Sequence, residues 1–340
     1  MASSPDVIVI GAGVLGLCTA AELAARGHAV TVIDPGGPNA SSIAAGMIAP
    51  ALESVLDYWA SGGNTDRSSL FRTARDLWPE FAEWLGISLH REGAEWRGQN
   101  PHNVHGCLRG FGFDAQPAGP GVVTADDWRI EPGPALTAMA RAPGVAVIKG
   151  KVTRLTGDAR RWRVEAGDGR VWFTPTVVLA TGAAAAVAGL PAPLAELVDR
   201  IIPIKGQLTS VATATPPRTI RTDAVYVAPA EGGVVIGATM EPGRRDLEPD
   251  PIEAERQVAA GLALLDLTGE AGQTRVGIRG ATADGLALAG PSGEPGLHLA
   301  LAPRRNGWLM GPLVARVVAD GIEGRPPMAD AAALDPLRFA

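Results

Sequence analysis

Cysteine is nearly absent from this chain: Cys18 and Cys107 are the only two in 340 residues. That excludes a disulfide framework and a four-cysteine metal site, and it points to a reducing, cytoplasmic compartment. Basic residues are not gathered anywhere. Lys and Arg number 30 against 36 Asp and Glu, the net charge is −6, and no Lys/Arg-rich run or basic amphipathic stretch offers a footprint for nucleic acid or an anionic membrane. Long apolar runs are missing as well. The segment Val7 to Ile10 lies near the N-terminus, but no Lys or Arg precedes it and glycines follow at once, so it fails as a signal peptide and as a membrane span. No repeat or low-complexity segment stands out. These absences leave a small-molecule partner as the expectation. The 46% hydrophobic content is enough for two substantial cores in a chain of this length.

What is present begins with Val7-Ile8-Val9-Ile10, a continuous β-branched run that reads as a strand buried on both faces. Gly11-Ala12-Gly13-Val14-Leu15-Gly16 follows without a spacer, and an alanine-rich helix is predicted from about Val14 to Arg26. Gly27 stops it before a second β-branched run, Val30 to Ile33, which ends at Asp34. In such a βαβ unit Gly11 allows the tight turn, Gly13 lets the backbone approach a pyrophosphate, and Gly16 lets helix and strand pack closely. Asp34 is placed to accept hydrogen bonds from an adenosine ribose. The motif alone leaves FAD and NAD both open.

Further along, helical patterns cover Ser68 to Leu85, whereas 91–121 shows no clean period and reads as substrate-side or lid structure. Val145 to Ile148 and Lys151 to Leu155 have strand composition. Trp162-Arg163-Val164 is expected to pair with Val171-Trp172-Phe173 across a Gly-Asp-Gly turn, and Thr176 to Ala180 forms another buried strand ending at Thr181-Gly182. Three runs, at Ile204, Val225 and Gly233, suggest a second sheet. Asp250-Pro251-Ile252-Glu253 reads as an N-cap, first-turn proline and capping acid of a helix to about Leu267. Leu297 to Leu301 is a strand, a last helix is expected over Pro312 to Ile322, and the tail after Arg325 reads as peripheral. His102, His105 and Cys107 form a compact cluster with no fourth ligand at zinc spacing, so loop polar residues are the reading and no metal is expected.

After Asp34 comes an unusual small-residue stretch, Ala40-Ser41-Ser42-Ile43-Ala44-Ala45-Gly46-Met47-Ile48-Ala49-Pro50. Together with the blocks at 204–207, 226–229, 237–240, 277–285 and 305–307, it resembles the D-amino-acid oxidase/glycine oxidase superfamily of flavoenzymes, most of all its glycine oxidase branch of thiamine biosynthesis. The resemblance covers most of 5–50 and 126–322, while 51–125 matches nothing in it. It implies an α/β fold: a discontinuous Rossmann-type FAD-binding domain from 1–50, 127–190 and 275–340, and an α+β substrate domain or lid from 51–126 and 191–274 with a mainly antiparallel sheet.

On the same resemblance, Gly11, Gly13, Val14, Gly16 and Asp34 hold the adenosine and pyrophosphate end of FAD, Val152 contacts the adenine, and Thr181 and Gly182 lie on the cofactor side. Ser41, Ala45, Gly46 and Met47 match the flavin-proximal loop, and Asn306-Gly307-Trp308-Leu309 the turn along the flavin's pyrimidine edge. Arg279 matches the arginine that grips the substrate carboxylate, and Arg305 a second arginine at the substrate end. Tyr226 and Met240 match pocket residues. Ala224 stands where that branch has a histidine, Ala230 where it has an arginine, and Pro303-Arg304 where it has His-Phe. With no cysteine in the C-terminal region where the sarcosine-oxidase branch tethers its flavin, FAD is expected to be non-covalent.

The implied activity is oxidative deamination of a small amino acid or amine of the glycine, sarcosine or D-amino-acid type. A hydride passes from Cα to flavin N5, with O2 or another electron acceptor closing the cycle and a homo-oligomer allowed. Two alternatives stay open: a dehydrogenase that reduces a quinone or similar acceptor, and a flavin-binding protein whose pocket has lost turnover.

Overall fold

The predicted first strand, Val7–Ile10, is buried at all four residues and stands inside a six-stranded sheet. From one edge to the other the order is Leu288–Pro291, Leu297–Leu301, Thr176–Leu179, Val7–Ile10, Val30–Asp34 and Val145–Lys149. All neighbours are parallel except the first pair. The structure is a computed structural model and describes residues 5–157 and 160–339. After Val7–Ile10 the chain winds outward through Val30–Asp34 on one side and later through Thr176–Leu179 on the other. That reversal leaves a crevice beyond the carboxyl ends of the central strands, where doubly wound sheets bind ligands. Gly11, Asp34, Ala180 and Ala302 all emerge at that end.

A second sheet of nine strands is mainly antiparallel. Its long members, Ile202–Ala212 and Glu270–Ala281, pair along most of their length, and Gly233–Gly237, Tyr226–Ala230 and Thr219–Arg221 extend it. Ala94–Trp96 then joins Thr219–Arg221 in parallel, bringing Gly121–Thr124 and Gln116–Ala118 with it. The 91–121 stretch without periodicity is therefore ordered secondary structure. Its strands are only three or four residues long, too short to show alternation. His102, His105 and Cys107, expected in a loop, lie on the helix Pro101–Gly110. The hairpin Trp162–Ala166/Val171–Thr174 pairs as expected, in a three-stranded sheet with Val152–Gly157. The helix Pro251–Leu265 starts with the Asp250 carboxylate accepting the N–H groups of Ile252 and Glu253.

Two C-terminal expectations need correction. The tail is not peripheral, since Ala331 and Leu334 in a short 3-10 helix are fully buried against the main core. The last helix begins at Gly307, not at Pro312, and runs to Ile322. Proline inside a helix lacks the N–H that would reach the carbonyl four residues back, here Trp308. The Nε1–H of the fully buried Trp78 takes that carbonyl instead at 2.8 Å and lies 3.3 Å from the Leu309 carbonyl. The early start matters because this helix packs closely on Val14–Ala25: a Cβ at Gly311 would lie 2.8 Å from Cys18 Sγ, and one at Gly307 would lie 3.2 Å from Val14 Cγ1. The two N-terminal turns therefore meet at the crevice.

Trp78→Phe should leave the Trp308 carbonyl buried and unpaired, at a cost of about 1–3 kcal/mol beyond lost packing. Pro312→Ala supplies the missing N–H, so the same Trp78→Phe change should cost less in that background, with a coupling of roughly 1 kcal/mol in a double-mutant cycle. Urea unfolding of the four proteins measures this, and identical costs in both backgrounds would refute the substitution of indole for backbone donor.

Candidate active site

The crevice is lined first by backbone. The helix Val14–Ala25 begins at Gly13 with no side-chain cap from its own N-cap residue, and the Val14 N–H donates to Ser41 Oγ at 2.9 Å. A Cβ at Gly13 would meet only that same hydroxyl, at 3.3 Å, so the turn presents bare backbone to whatever binds there. Gly13, Val14, Ser41, Gly182, Gly280, Ala302, Gly307 and Trp308 share a cavity of about 110 Å³. Two helix N-termini facing one space favour negative charge, which suits a pyrophosphate or an electron-rich ring. The residues present thus fit a dinucleotide. Asp34 accepts from the Ala12 N–H at 2.7 Å and the Gly36 N–H at 2.6 Å, and a carboxylate retains lone pairs beyond these. Val152 opens its strand two residues after Gly150, whose N–H bonds the Asp34 carbonyl, which puts it beside the ribose end of the sheet.

Not every expected cofactor residue faces this space. Thr181 packs at the Gly11 turn and is not part of the cavity lining, and Leu309 is buried in the main core. Gly16 closes against the Gly11 carbonyl, the packing role read for it. Asn306 is buried at the N-cap of the last helix, after a turn in which Ala302 and Arg304 hold positive φ of 56° and 52°. Backbone strain of this kind collects at functional sites.

An adjoining cavity of about 270 Å³ shares Ala40, Ala44, Arg279, Arg305 and Trp308 with the first. It gathers the loop residues Ala45, Gly46 and Met47 and all four expected substrate residues, Arg279, Arg305, Tyr226 and Met240. Met240 is 38% exposed and stands at its mouth. Arg279 lies folded over Gly206: a Cβ there would sit 2.6 Å from the guanidinium carbon, so only glycine leaves it room. Its Nη1 donates to the Thr239 carbonyl at 3.1 Å, and among the described residues no carboxylate pairs with it. Burial disfavours its charged form, against the pull of Tyr226 and Glu53. Burial likewise pushes the Tyr226 phenol up, against Arg279 and Arg221, so it is a neutral hydroxyl.

Arg305 is placed differently. Its guanidinium is bonded to Glu53 and, at 2.9 Å, to Asp57 on the helix Pro50–Ala60. Arg67 and Arg304 also reach Asp57, and Arg221 reaches the other oxygen of Glu53 at 2.7 Å. Behind them the fully buried Asp127 accepts the Ala51 and Leu52 N–H groups, and its burial raises it to about 7. Glu53, Asp57, Arg221 and Asp127 were not singled out in the sequence. The one available signal was a pair of acids four residues apart on a predominantly apolar helix.

Burial alone would raise the Glu53 carboxyl, but Arg305 and Arg221 outweigh it and hold it at about 2, below its ordinary 4.5. Its contribution to stability is therefore complete above about 4.5 and is lost as pH falls toward about 2. Glu53→Gln should destabilise the protein by roughly 3 kcal/mol at pH 7, with the gap narrowing below pH about 4.5. Denaturant midpoints of the two proteins across that pH range provide the check, and equal stability at pH 7 would remove Glu53 from the network.

The model of the family DAO, FAD dependent oxidoreductase, matches residues 6–321 of this chain. Glycine oxidase of Pseudomonas aeruginosa is 27% identical over 368 residues, covering 98% of this chain and 99% of that protein. The tRNA 5-methylaminomethyl-2-thiouridine biosynthesis bifunctional protein MnmC of the same species is 28% identical over 395 residues, but this chain spans 59% of its length. The crystal structure of glycine oxidase from Geobacillus kaustophilus superposes with a TM-score of 0.83 at 25% identity, over 98% of both chains. The family model spans nearly the whole chain, glycine turn and paired helix N-termini included, and the chain belongs to the DAO family of FAD-dependent oxidoreductases.

Proposed function

We propose that the chain oxidises a small amino acid or amine, with Arg279 holding the substrate carboxylate. One observation carries this reading: a half-buried guanidinium lies in the cavity beside the small-residue loop 40–47, with a glycine beneath it and, among the described residues, no carboxylate paired with it. Burying an arginine without an anion is costly, and a carboxylate ligand relieves that cost through two parallel charge-assisted bonds. Bound FAD supplies the two-electron acceptor for a hydride leaving the substrate Cα.

The protein's part is orientation. Arg279 fixes one end of the substrate, and the neutral Tyr226 hydroxyl above Gly237 offers a hydrogen bond beside it. No histidine lines the cavity, and of its two carboxylates Glu53 is committed to Arg305 and Arg221 while the exposed Asp223 accepts the Gln99 N–H at 2.6 Å. On this reading the substrate amine enters neutral, and the imine product is left to hydrolyse in water. The two helix N-termini favour the extra electron density of a reduced ring. Neither cysteine reaches the cavity: Cys18 is buried between the two helices and Cys107 lies on Pro101–Gly110. FAD is accordingly held without a cysteine link.

Arg279→Ala should retain its visible flavin absorption and lose about 10- to 100-fold in kcat/KM for an amino acid, mostly through KM. Steady-state rates with glycine, sarcosine and D-alanine test this, and an unchanged kcat/KM would overturn the role. Peroxide measured in air during the same turnovers assigns O2 as acceptor, and turnover only with an added quinone assigns a dehydrogenase.

A further inference from the structure

Arg221 is the cation for which that reading has no use. It stands on Thr219–Arg221 directly opposite Tyr226 on the neighbouring strand, so the two side chains share a face of the sheet. Its side chain is 9% exposed and it lines the same cavity as Arg279. Glu53 occupies its Nη2 at 2.7 Å, while its Nη1 is buried with no hydrogen-bond partner among the described residues. Arg67 Nε is orphaned as well but lies off the cavity wall, whereas an orphaned N–H on an arginine that lines the cavity is one that a ligand can satisfy.

The charge around it leans the same way. Among the described residues, five guanidiniums, from Arg67, Arg221, Arg279, Arg304 and Arg305, face four acids, Glu53, Asp57, Asp127 and Asp223, and the first two are already shared between several arginines. Arg279 and Arg221 also belong to strands with three others between them, Ile202–Ala212, Gly233–Gly237 and Tyr226–Ala230, so one carboxylate does not serve both. Beside Arg221 the wall is Thr222, Asp223, Ala224 and Val225, and the Asp223 carboxylate is exposed and accepts the Gln99 N–H at 2.6 Å.

We propose that Arg221 is a second anion-binding residue of the cavity, and that the substrate class is an amino dicarboxylate, with its α-carboxylate on Arg279 and its second carboxylate on Arg221. The proposal rests on the amino-acid reading above for the identity of the substrate, but not for the presence of the second anchor.

The test uses the FAD-loaded protein and two readouts. In calorimetric titration, succinate should bind about tenfold or more tightly than propionate, and Arg221→Gln should abolish that preference. In turnover, kcat/KM for D-aspartate should exceed that for D-alanine by a similar factor, and Arg221→Gln should bring the ratio of the two close to one. Arg221→Lys keeps a charge beside Glu53 but not the fork, and should fall between. If both variants fail to fold, the succinate-to-propionate ratio of the unaltered protein decides alone. Equal affinity for the two acids, or a preference that survives Arg221→Gln, overturns the anchor even if glycine is oxidised. An Arg221-dependent succinate preference with no amino acid oxidised upholds the anchor and refutes the amino-acid reading.

Discussion

The crossing of Val14–Ala25 with Gly307–Ile322 determines where chemistry is possible in this protein. Glycine at 307 and 311 lets the last helix lie directly on Val14 and Cys18, which brings both N-termini to the carboxyl ends of the central strands. Unpaired N–H groups and two helix dipoles are then concentrated on one small volume. Much of the surrounding structure serves to hold that crossing. Trp78 takes over the carbonyl that Pro312 leaves unbonded, and Trp308 spans the crevice to donate to the Ser41 carbonyl at 3.2 Å.

The second cavity depends on a different kind of force. Its walls are charged, and the charges are held by one another: the helix Pro50–Ala60 presents Glu53 and Asp57 inward, and arginines from three distant segments converge on them. Such a network is costly to bury and is stable only when its members satisfy one another. Among the described residues it is incomplete at Arg279, at Nη1 of Arg221 and at Nε of Arg67, and of these Arg279 and Arg221 line the cavity. A ligand that completes it gains binding energy from a desolvation penalty the fold has already met, which is how a rigid site achieves preorganised recognition.

The sequence was legible where local chemistry dictates structure. A β-branched run, a glycine turn and an acid about twenty residues on describe the βαβ unit at the crevice almost completely, because the needs of its backbone are written in glycine spacing. Arg279 was legible only through the motif around it, since nothing in a single sequence distinguishes a buried arginine from a surface one. The start of the last helix was misplaced for a clear reason: Pro312 reads as a helix's first turn, and only tertiary structure supplies the Trp78 donor that lets the helix begin earlier.

The charged wall was illegible for the same reason that it is specific. Glu53, Asp57, Asp127 and Arg221 are brought together from segments up to 168 positions apart, and each looks like an ordinary surface charge in its own neighbourhood. Ala94–Trp96 accounts for much of this, since its parallel pairing with Thr219–Arg221 ties the 51–126 region to the strand that carries Arg221. Cofactor binding, built from local backbone patterns, tolerates divergence of everything around it. Substrate choice, built from long-range charge pairs, can change with a single residue such as Arg221 or Ala224 while the glycine turn stays as it is. The match to the family from residue 6 to residue 321 therefore reports on the cofactor fold, while the charge pairs of the cavity are set by separate, long-range contacts.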